Sequence, residues 1–204
     1  SNGTTTELAK ITDVPPTQND RFGESVVIDG NLFAIGSPRA DHGGLTDSGY
    51  VVVMRLEDNG SLTRIAKLGS PNPQAGQKFG GKVSVNGQFV SVFSQGENII
   101  YFWEYLEGPK VMEFRGALSL AGAPDKFGGN FDINGRTLHA RLSGNNPDGS
   151  EHAGKTLIYE LPSWFVPSNQ PPVFTSATTF TTAENNASAT FLVTATDPDG
   201  DTLT

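Results

Sequence analysis

The sequence contains no cysteine among its 204 residues. This absence excludes disulfide bonds, thiolate metal sites and cysteine nucleophiles. It does not assign the protein to the cytosol, because a domain of an exported protein can use bound calcium in place of disulfides.

Basic stretches and long apolar runs are also lacking. The chain has 14 basic and 22 acidic residues and a net charge of -8. Without a basic patch to neutralise phosphates, we expect no nucleic-acid partner and no binding to an anionic membrane surface. Since no apolar run approaches the length of a membrane helix, we expect no transmembrane segment in this chain. No basic and apolar leader follows Ser1, so any export signal is expected to lie outside this sequence.

Glycine and proline are frequent, with 24 and 13 residues, and they fall between short apolar runs. This pattern is typical of many strands joined by tight turns, and it argues against long helices. With 36% hydrophobic residues the chain can form a substantial core. The composition therefore predicts an all-β fold.

Three segments of the chain align with one another without gaps. In each, a basic residue precedes a Phe-Gly pair, and a turn dipeptide ends eight residues after the phenylalanine. The Phe-Gly pairs are Phe22-Gly23, Phe79-Gly80 and Phe127-Gly128. The spacings of 57 and 48 residues between the phenylalanines lie within the range of propeller blades.

Each repeat also predicts four antiparallel strands. The dipeptides Asp29-Gly30, Asn86-Gly87 and Asn134-Gly135 predict hairpins with positive φ at both central positions. The strands after the turns are expected at 32–35, 50–56 and 62–68, then at 89–92, 99–105 and 111–118, then at 137–142 and 156–161. This arrangement predicts a partial β-propeller of about three four-stranded antiparallel blades.

The first repeat resembles the FG-GAP repeat of integrin-α-type propellers. It has Phe22-Gly23 and, after the hairpin, Gly36-Ser37-Pro38 where that family commonly has Gly-Ala-Pro. The resemblance covers residues 7–161, although Phe93-Ser94-Gln95 and Arg141-Leu142-Ser143 replace the second motif in the later repeats. It implies that the phenylalanines are core residues. It also implies a calcium loop after the first strand, but the tight turns leave no room for one, so we expect no metal in these hairpins.

Three blades are too few for a closed propeller ring. The repeats also do not begin and end at blade boundaries. Residues 8–11 are typical of the outer strand of an earlier blade, and no outer strand is evident after Leu161-Pro162. Either earlier blades are missing from this sequence, or the N-terminal strand completes the last blade. We favour missing blades.

Composition changes at Pro162. Residues 162–172 hold four prolines and predict a linker between the propeller-type repeats at 1–161 and a second domain at 173–204. Trp164 and Phe165 are either an exposed binding pair or residues that pack on the end of the propeller, and we favour packing.

Residues 173–204 resemble the opening of a cadherin repeat, which implies a truncated Ig/cadherin-like sandwich. The resemblance rests on the linker Asn169-x-Pro171-Pro172-x-Phe174, on Ala183-Glu184 and on Ala195-x-Asp197-x-Asp199-Gly200. It implies that Glu184, Asp197 and Asp199 are calcium ligands, with Asp201 a weaker candidate and Asn169 a shared ligand. Closely spaced carboxylates in a glycine-containing loop suit calcium, but Asp-Pro-Asp-Gly is also an ordinary solvated turn.

No catalytic constellation is evident. The histidines His42, His139 and His152 have no metal-ligand spacing, and no nucleophile elbow or phosphate-binding loop occurs. Two glycosidase carboxylates would not be visible from spacing alone, but we expect no enzyme. The acidic loops at 41–47 and 145–151 are expected to be solvated.

We therefore expect a non-enzymatic region of an extracellular or cell-surface protein. It would bind calcium through the cadherin-like segment and mediate adhesion or surface attachment to a protein or carbohydrate ligand. Two alternatives stay open, namely an accessory region of a large secreted polysaccharide-acting enzyme and a structural spacer.

Overall fold

The computed structural model describes residues 7, 9–12, 19–119, 126–144, 153–165, 173–175 and 194–196. It describes only the main chain of 126–129, 142–144, 153–155, 173–174 and 196. The chain divides into two compact units, Ser1–Val166 and Pro167–Thr204.

The first unit contains three antiparallel sheets, which we call blades 1, 2 and 3. Blade 1 comprises β1 (Ser25–Asp29), β2 (Leu32–Ser37), β3 (Tyr50–Leu56) and β4 (Leu62–Leu68). Blade 2 comprises β5 (Phe79–Asn86), β6 (Phe89–Ser94), β7 (Ile99–Leu106) and β8 (Val111–Ser119). Blade 3 comprises β9 (Lys126–Asn134), β10 (Thr137–Gly144) and β11 (Ala153–Glu160). The described residues contain no helix, which confirms the all-β prediction.

Strand pairing places the hairpin turns one residue later than the sequence predicted. Asp29 pairs with Leu32, so the two central residues of the first turn are Gly30 and Asn31. The turns of blades 2 and 3 have the same register. The glycines have φ of 56°, 58° and 56°, whereas the Asp or Asn before each has negative φ. The prediction of positive φ at both positions of each dipeptide was therefore wrong. A two-residue turn with positive φ only at its first central residue, a glycine, also matches the twist of the flanking strands.

Two hydrophobic cores join the blades. The first core lies between blades 1 and 2 and includes Leu32, Val53, Phe79, Val90 and Trp103. The second lies between blades 2 and 3 and includes Phe89, Phe102, Phe131, Leu138 and Phe165. Every residue of β6 is buried, because blade 2 packs on both faces. This explains why β6, Phe-Val-Ser-Val-Phe-Ser, carries apolar side chains on both faces.

The chain after β11 takes the place of a fourth strand in blade 3. Among the described residues, blade 3 has three strands instead of the four expected for a blade. The main chain instead turns at Pro162, whose carbonyl oxygen accepts a hydrogen bond from the Phe165 amide at 2.9 Å. The buried Phe165 ring lies 4.3 Å from the Phe89 ring and 5.5 Å from the Phe102 ring. The packing interpretation of Phe165 is therefore confirmed.

The N-terminal residues lie against blade 1. Residues 9–12 belong to no sheet, and Ile11 packs on a third cluster that includes Ile35, Tyr50, Val52 and Met54 of blade 1. In the described part of the chain, the N-terminal segment therefore does not complete blade 3.

The second unit contains one described strand pair. β12 (Val173–Phe174) is antiparallel to β13 (Ala195–Thr196), with Val173 opposite Thr196. The Thr175 amide donates a hydrogen bond to the Thr194 carbonyl oxygen at 2.9 Å.

Candidate functional site

The Phe-Gly and Gly-Ser-Pro motifs of blade 1 bind each other. The Gly23 amide donates to the Gly36 carbonyl oxygen at 2.9 Å, and the Ser37 hydroxyl donates to the Asp20 carbonyl oxygen at 2.9 Å. The two motifs thereby fix the start of β1 against the end of β2. The two motifs therefore have a structural role, because these hydrogen bonds stabilise blade 1.

The Phe-Gly motif of blade 2 docks on blade 1. The Phe79 amide donates to the Ser48 carbonyl oxygen at 3.0 Å, in a parallel bridge between Gly49 and Phe79. A Cβ atom on Gly36 would lie 2.0 Å from the Gly80 carbonyl oxygen, and one on Gly49 would lie 2.2 Å from the Phe79 carbonyl oxygen. The motif glycines therefore permit a main-chain contact between blades that no larger residue allows.

The acidic loop at 41–47 takes part in the same junction. The carbonyl oxygens of Thr46 and Asp47 accept hydrogen bonds from the amides of Gly76 and Lys78 at 2.8 and 2.9 Å. The Asp41 carboxylate accepts a hydrogen bond from the Asp47 amide at 3.0 Å. The loop is largely exposed, in agreement with the expectation of a solvated loop, and its main chain also bonds to the segment that leads into blade 2. The other acidic loop, at 145–151, lies outside the described residues.

The loops at 38–49, 69–78 and 95–98 form one edge of the blades, which we call the connector edge. A buried glutamine, Gln77, organises the loops there. The Gln77 amide nitrogen donates to the Asn72 carbonyl oxygen at 2.8 Å and to the Ser70 hydroxyl at 3.2 Å. Its amide oxygen accepts from the Gln74 main-chain amide at 2.9 Å. Gln77 thus satisfies its polar atoms locally and shapes the segment between β4 and β5.

Glu97 is an acidic residue of the connector edge, and its carboxylate is linked to the hydrogen bonds of Gln77 through Ser70. The Tyr101 hydroxyl donates to the Glu97 carboxylate at 2.9 Å, and the Ser70 hydroxyl lies 3.5 Å from the same oxygen. Burial, with a smaller contribution from Glu97, raises the pKa of the Tyr101 phenol, so it remains a donor at neutral pH. The half-buried carboxylate is therefore held in one position, with capacity left to accept a hydrogen bond from a ligand.

His42 is hydrogen-bonded to Ser48 through its main chain and has a structural role in the connector edge rather than a role in proton transfer. Its main-chain amide donates to the Ser48 hydroxyl at 3.0 Å, and that hydroxyl donates back to the His42 carbonyl oxygen at 2.9 Å. Burial first, and the Lys67 charge second, lower the pKa of the imidazole. The ring is 5.7 Å from the Tyr50 ring and is neutral near pH 7.

At the opposite edge, the side chain before the turn glycine of blades 1 and 2 reaches the turn of the next blade. The Asp29 carboxylate accepts a hydrogen bond from the Gly87 amide at 2.7 Å, and the Asn86 side-chain amide donates to the Gly135 carbonyl oxygen at 2.9 Å. These two contacts form one turn-to-turn series along the array. They give the Asp and Asn residues a role between blades, in addition to ending the strand.

Arg55 of blade 1 forms an ion pair with blade 2. Its guanidinium donates to the Glu107 carboxylate and, at 3.2 Å, to the Tyr105 hydroxyl. These hydrogen bonds raise the pKa of Arg55, so the guanidinium keeps its charge. The pair adds a polar link to the apolar core between the two blades.

The predicted calcium ligands Glu184, Asp197, Asp199 and Asp201 lie outside the described residues, as does Asn169. The described strand β13 ends at Thr196, immediately before Asp197 in the sequence, and its partner β12 belongs to the Pro-x-Phe segment. Among the described residues, no group of three or more His, Asp or Glu side chains is placed to hold a metal ion. The calcium assignment therefore stays a prediction.

Comparison with known families agrees with the repeat pattern at the N-terminus. The model of the FG-GAP repeat matches residues 5–53, which include β1, β2 and the first part of β3. Among curated proteins, none matches the chain. FG-GAP repeats typically occur in extracellular or surface proteins and are generally non-catalytic, so the match supports a β-propeller-type region of that kind. In the described part of the chain, no helix is long and apolar enough to cross a membrane.

Sequence reasoning missed Gln77, Glu97 and Arg55. A signal for Gln77 was present, because the repeat alignment places it opposite Asp20, and both side chains are buried. Arg55 had no such signal, since its partners lie in the next blade, and Glu97 had none because its pairing with Tyr101, four residues later, follows no motif. Their roles depend on how the blades stack.

Proposed function

We propose that this chain is a non-enzymatic adhesion or attachment region of an extracellular or cell-surface protein. The observation that carries the proposal is the FG-GAP match to blade 1 together with the stacking of blade 2 on blade 1 and of blade 3 on blade 2. A stack joined by two shared cores is rigid, so it presents its loops to a ligand without a large ordering cost.

The connector edge is the part of the stack best suited to contact a protein or carbohydrate ligand. Its loops come from consecutive blades, and the Glu97 carboxylate is held there by Tyr101. Functional residues concentrate on loops that a rigid scaffold positions. A fixed acceptor beside half-exposed polar side chains suits hydroxyl groups or amides of a surface ligand.

Calcium binding by the cadherin-like segment is the second part of the proposal. Glu184, Asp197, Asp199 and Asp201 would supply carboxylate oxygens, which are the ligands that calcium prefers. An ion bound only by the folded state stabilises that state by RT ln(1 + [L]/Kd), about 2.7 kcal/mol at a hundredfold excess over Kd. Calcium would thus stiffen the segment that follows the propeller-type repeats.

The test is thermal unfolding of the full chain in about 1 mM calcium, the range of extracellular calcium modules, and in chelator. We expect calcium to raise the unfolding temperature, and Asp197→Ala and Asp199→Ala to abolish the increase. Asp58→Ala is the matched control, because Asp58 is an exposed aspartate in the turn between β3 and β4. An equal effect of calcium on wild type and both loop variants, or no effect on wild type, would overturn the calcium assignment.

Adhesion is tested separately with fluorescently labelled chain on cell surfaces and immobilised polysaccharides. We expect binding that Glu97→Gln weakens and Asp58→Asn leaves unchanged. Absence of binding to every surface would favour a spacer and overturn the adhesive part.

A further inference from the structure

Trp164 and Phe165 are adjacent in the sequence, but the structure gives them opposite environments. Phe165 is buried in the core that blades 2 and 3 share, whereas Trp164 is 41% exposed. The hydrogen bond of 2.9 Å from the Phe165 amide to the Pro162 carbonyl oxygen closes a turn that contains Trp164. The buried Phe165 ring therefore anchors this turn and holds Trp164 at the surface.

The Trp164 ring packs on the outer part of blade 2. A Cβ atom on Gly116 of β8 would lie 3.3 Å from the indole, so the lack of a side chain there lets the ring lie against the strand. The ring centroid is 6.1 Å from that of Phe102 of β7, in a T-shaped contact. Because these contacts are all with blade 2, the exposed part of Trp164 is turned away from that blade. The ring is thus oriented before any ligand binds, which lowers the ordering cost of binding.

A charged network lies beside the Trp164 ring on the same face of blade 2. Side chains alternate along a strand, so Glu104 follows Phe102 on the face that Trp164 covers. The Arg115 Nε donates to the Glu104 carboxylate at 2.6 Å, and Nη1 of the same guanidinium lies 3.4 Å from the Glu113 carboxylate. The guanidinium carries several N–H groups, so it can donate to a ligand while it stays paired with these carboxylates.

The short sheet of blade 3 leaves this part of blade 2 accessible. The outer strands β4 and β8 of blades 1 and 2 contact each other. Among the described residues, blade 3 has no outer strand to place against β8, and the turn at 162–165 lies there instead. Glu104, Arg115, Gly116 and Trp164 therefore form an open surface at the rim of blade 2, which we call the Trp164 shelf.

The Trp164 shelf has the chemistry of a site for a neutral sugar. A pyranose carries C–H groups on one face, which pack on an aromatic ring, and hydroxyl groups at its rim, which bond to charged side chains. Arg115 supplies donors and Glu104 supplies acceptors, so a sugar hydroxyl can accept from one and donate to the other. With Glu113 beside them the network is acidic, and the whole chain has a net charge of -8, so an anionic polysaccharide would be repelled.

We propose that the Trp164 shelf binds a pyranose unit of a neutral polysaccharide, with the sugar ring on Trp164 and its hydroxyl groups on Arg115 and Glu104. The inference rests on the adhesive function proposed above, to which it adds a ligand class and a contact outside the connector edge. A single sugar site of this size binds weakly, so attachment depends on the repetition of the sugar along the polymer.

The test is isothermal titration calorimetry of the full chain with cellohexaose, mannohexaose and xylohexaose, and with hexagalacturonic acid as the anionic probe. We expect at least one neutral sugar to bind. Trp164→Ala should weaken its affinity at least about tenfold, because the aromatic platform is lost. Arg115→Gln should weaken the affinity at least about threefold, because charged donors are lost. Circular dichroism confirms that each variant is folded.

Phe114→Ala is the matched control. Phe114 is also an exposed aromatic residue of β8, at 46% exposure, but its ring lies 5.4 Å from the Trp103 ring, on the side of blade 2 that faces blade 1. Its removal should leave the sugar affinity unchanged. Equal weakening by Phe114→Ala and Trp164→Ala would overturn the proposal, because the loss would then follow from a general effect on blade 2.

Fluorescence gives a second readout at the ring itself. The chain has two tryptophans, and Trp103 is buried, so Trp103→Phe leaves Trp164 as the reporter. We expect strong quenching of Trp164 by acrylamide in the free protein and weaker quenching with bound sugar. Weak quenching before sugar is added would show that another part of the chain covers Trp164, and the proposal would be wrong.

The remaining outcomes separate this site from the connector edge. No binding of any neutral sugar up to about 10 mM would overturn the Trp164 shelf as a sugar site. Equal affinity for hexagalacturonic acid would overturn the neutral ligand class. Sugar binding that Glu97→Gln abolishes and Trp164→Ala preserves would place the ligand at the connector edge, which contradicts this inference and supports the proposed function.

Discussion

At the scale of single residues, the glycines of the repeat motif carry the contact between blades. Gly36 has no room for a side chain, since a Cβ atom would overlap the Gly80 carbonyl oxygen at 2.0 Å. Gly36→Ala should therefore destabilise the protein by about 2–3 kcal/mol, because main chain rather than a flexible side chain must move. Urea unfolding measured by tryptophan fluorescence gives the change in the free energy of unfolding.

The control for this variant is Gly108→Ala. Gly108 lies in the turn between β7 and β8, and a Cβ atom there would meet nothing within 4 Å. The change in its free energy of unfolding should stay within about 0.5 kcal/mol, as at other unconstrained surface positions. Equal stability of the two variants would show that blades 1 and 2 are not in close main-chain contact at Gly36.

At the scale of elements, the segment after β11 stabilises blade 3 in place of a fourth strand. Phe165 is fully buried between Phe89 and Phe102, whereas Trp164 is 41% exposed. Phe165→Ala should cost about 3–4 kcal/mol, because the cavity lies within the core that blades 2 and 3 share. Hydrogen exchange should show lower protection in β9 and β10.

Trp164→Ala is the matched variant for this element. The Trp164 ring lies over Gly116 of β8 and keeps much of its surface in water. Its removal should cost about 1–2 kcal/mol, less than the loss of Phe165, because less apolar area returns to solvent. A larger effect from Trp164 than from Phe165 would contradict the assignment of Phe165 as the anchor.

At the scale of the whole first unit, the three blades should unfold together. Blade 2 contributes to two cores, one with blade 1 and one with blade 3, so the loss of one blade exposes apolar surface on its neighbour. In native-state hydrogen exchange with increasing urea, the core amides of β3, β6 and β10 should converge on one free energy of opening. Separate transitions for the three sheets would mean that the shared cores contribute little to stability.

The sequence predicted most of the secondary structure because its signals are local. β3 and β4 have the predicted bounds, and the glycines at 30, 87 and 135 mark the three hairpins. The period of the Phe-Gly pairs predicted the number of blades, since each repeat encodes one sheet. The calcium ligands Glu184, Asp197, Asp199 and Asp201 stay a prediction from the resemblance to cadherin repeats, because these residues lie outside the described structure.

The tertiary structure decided which residues link the blades, and the physical reason is distance along the chain. Asp29 and Gly87, or Arg55 and Glu107, lie more than fifty residues apart, so no local pattern connects them. The turn dipeptides predicted the hairpins, but the stacking of the sheets showed that Asp29 and Asn86 bind the next turn. The amino-acid sequence by itself determined the strands, the turns and the repeat. The packing of one blade against another decided which apolar faces are covered, as in blade 2, and which are exposed, as at Val26 and Ile28.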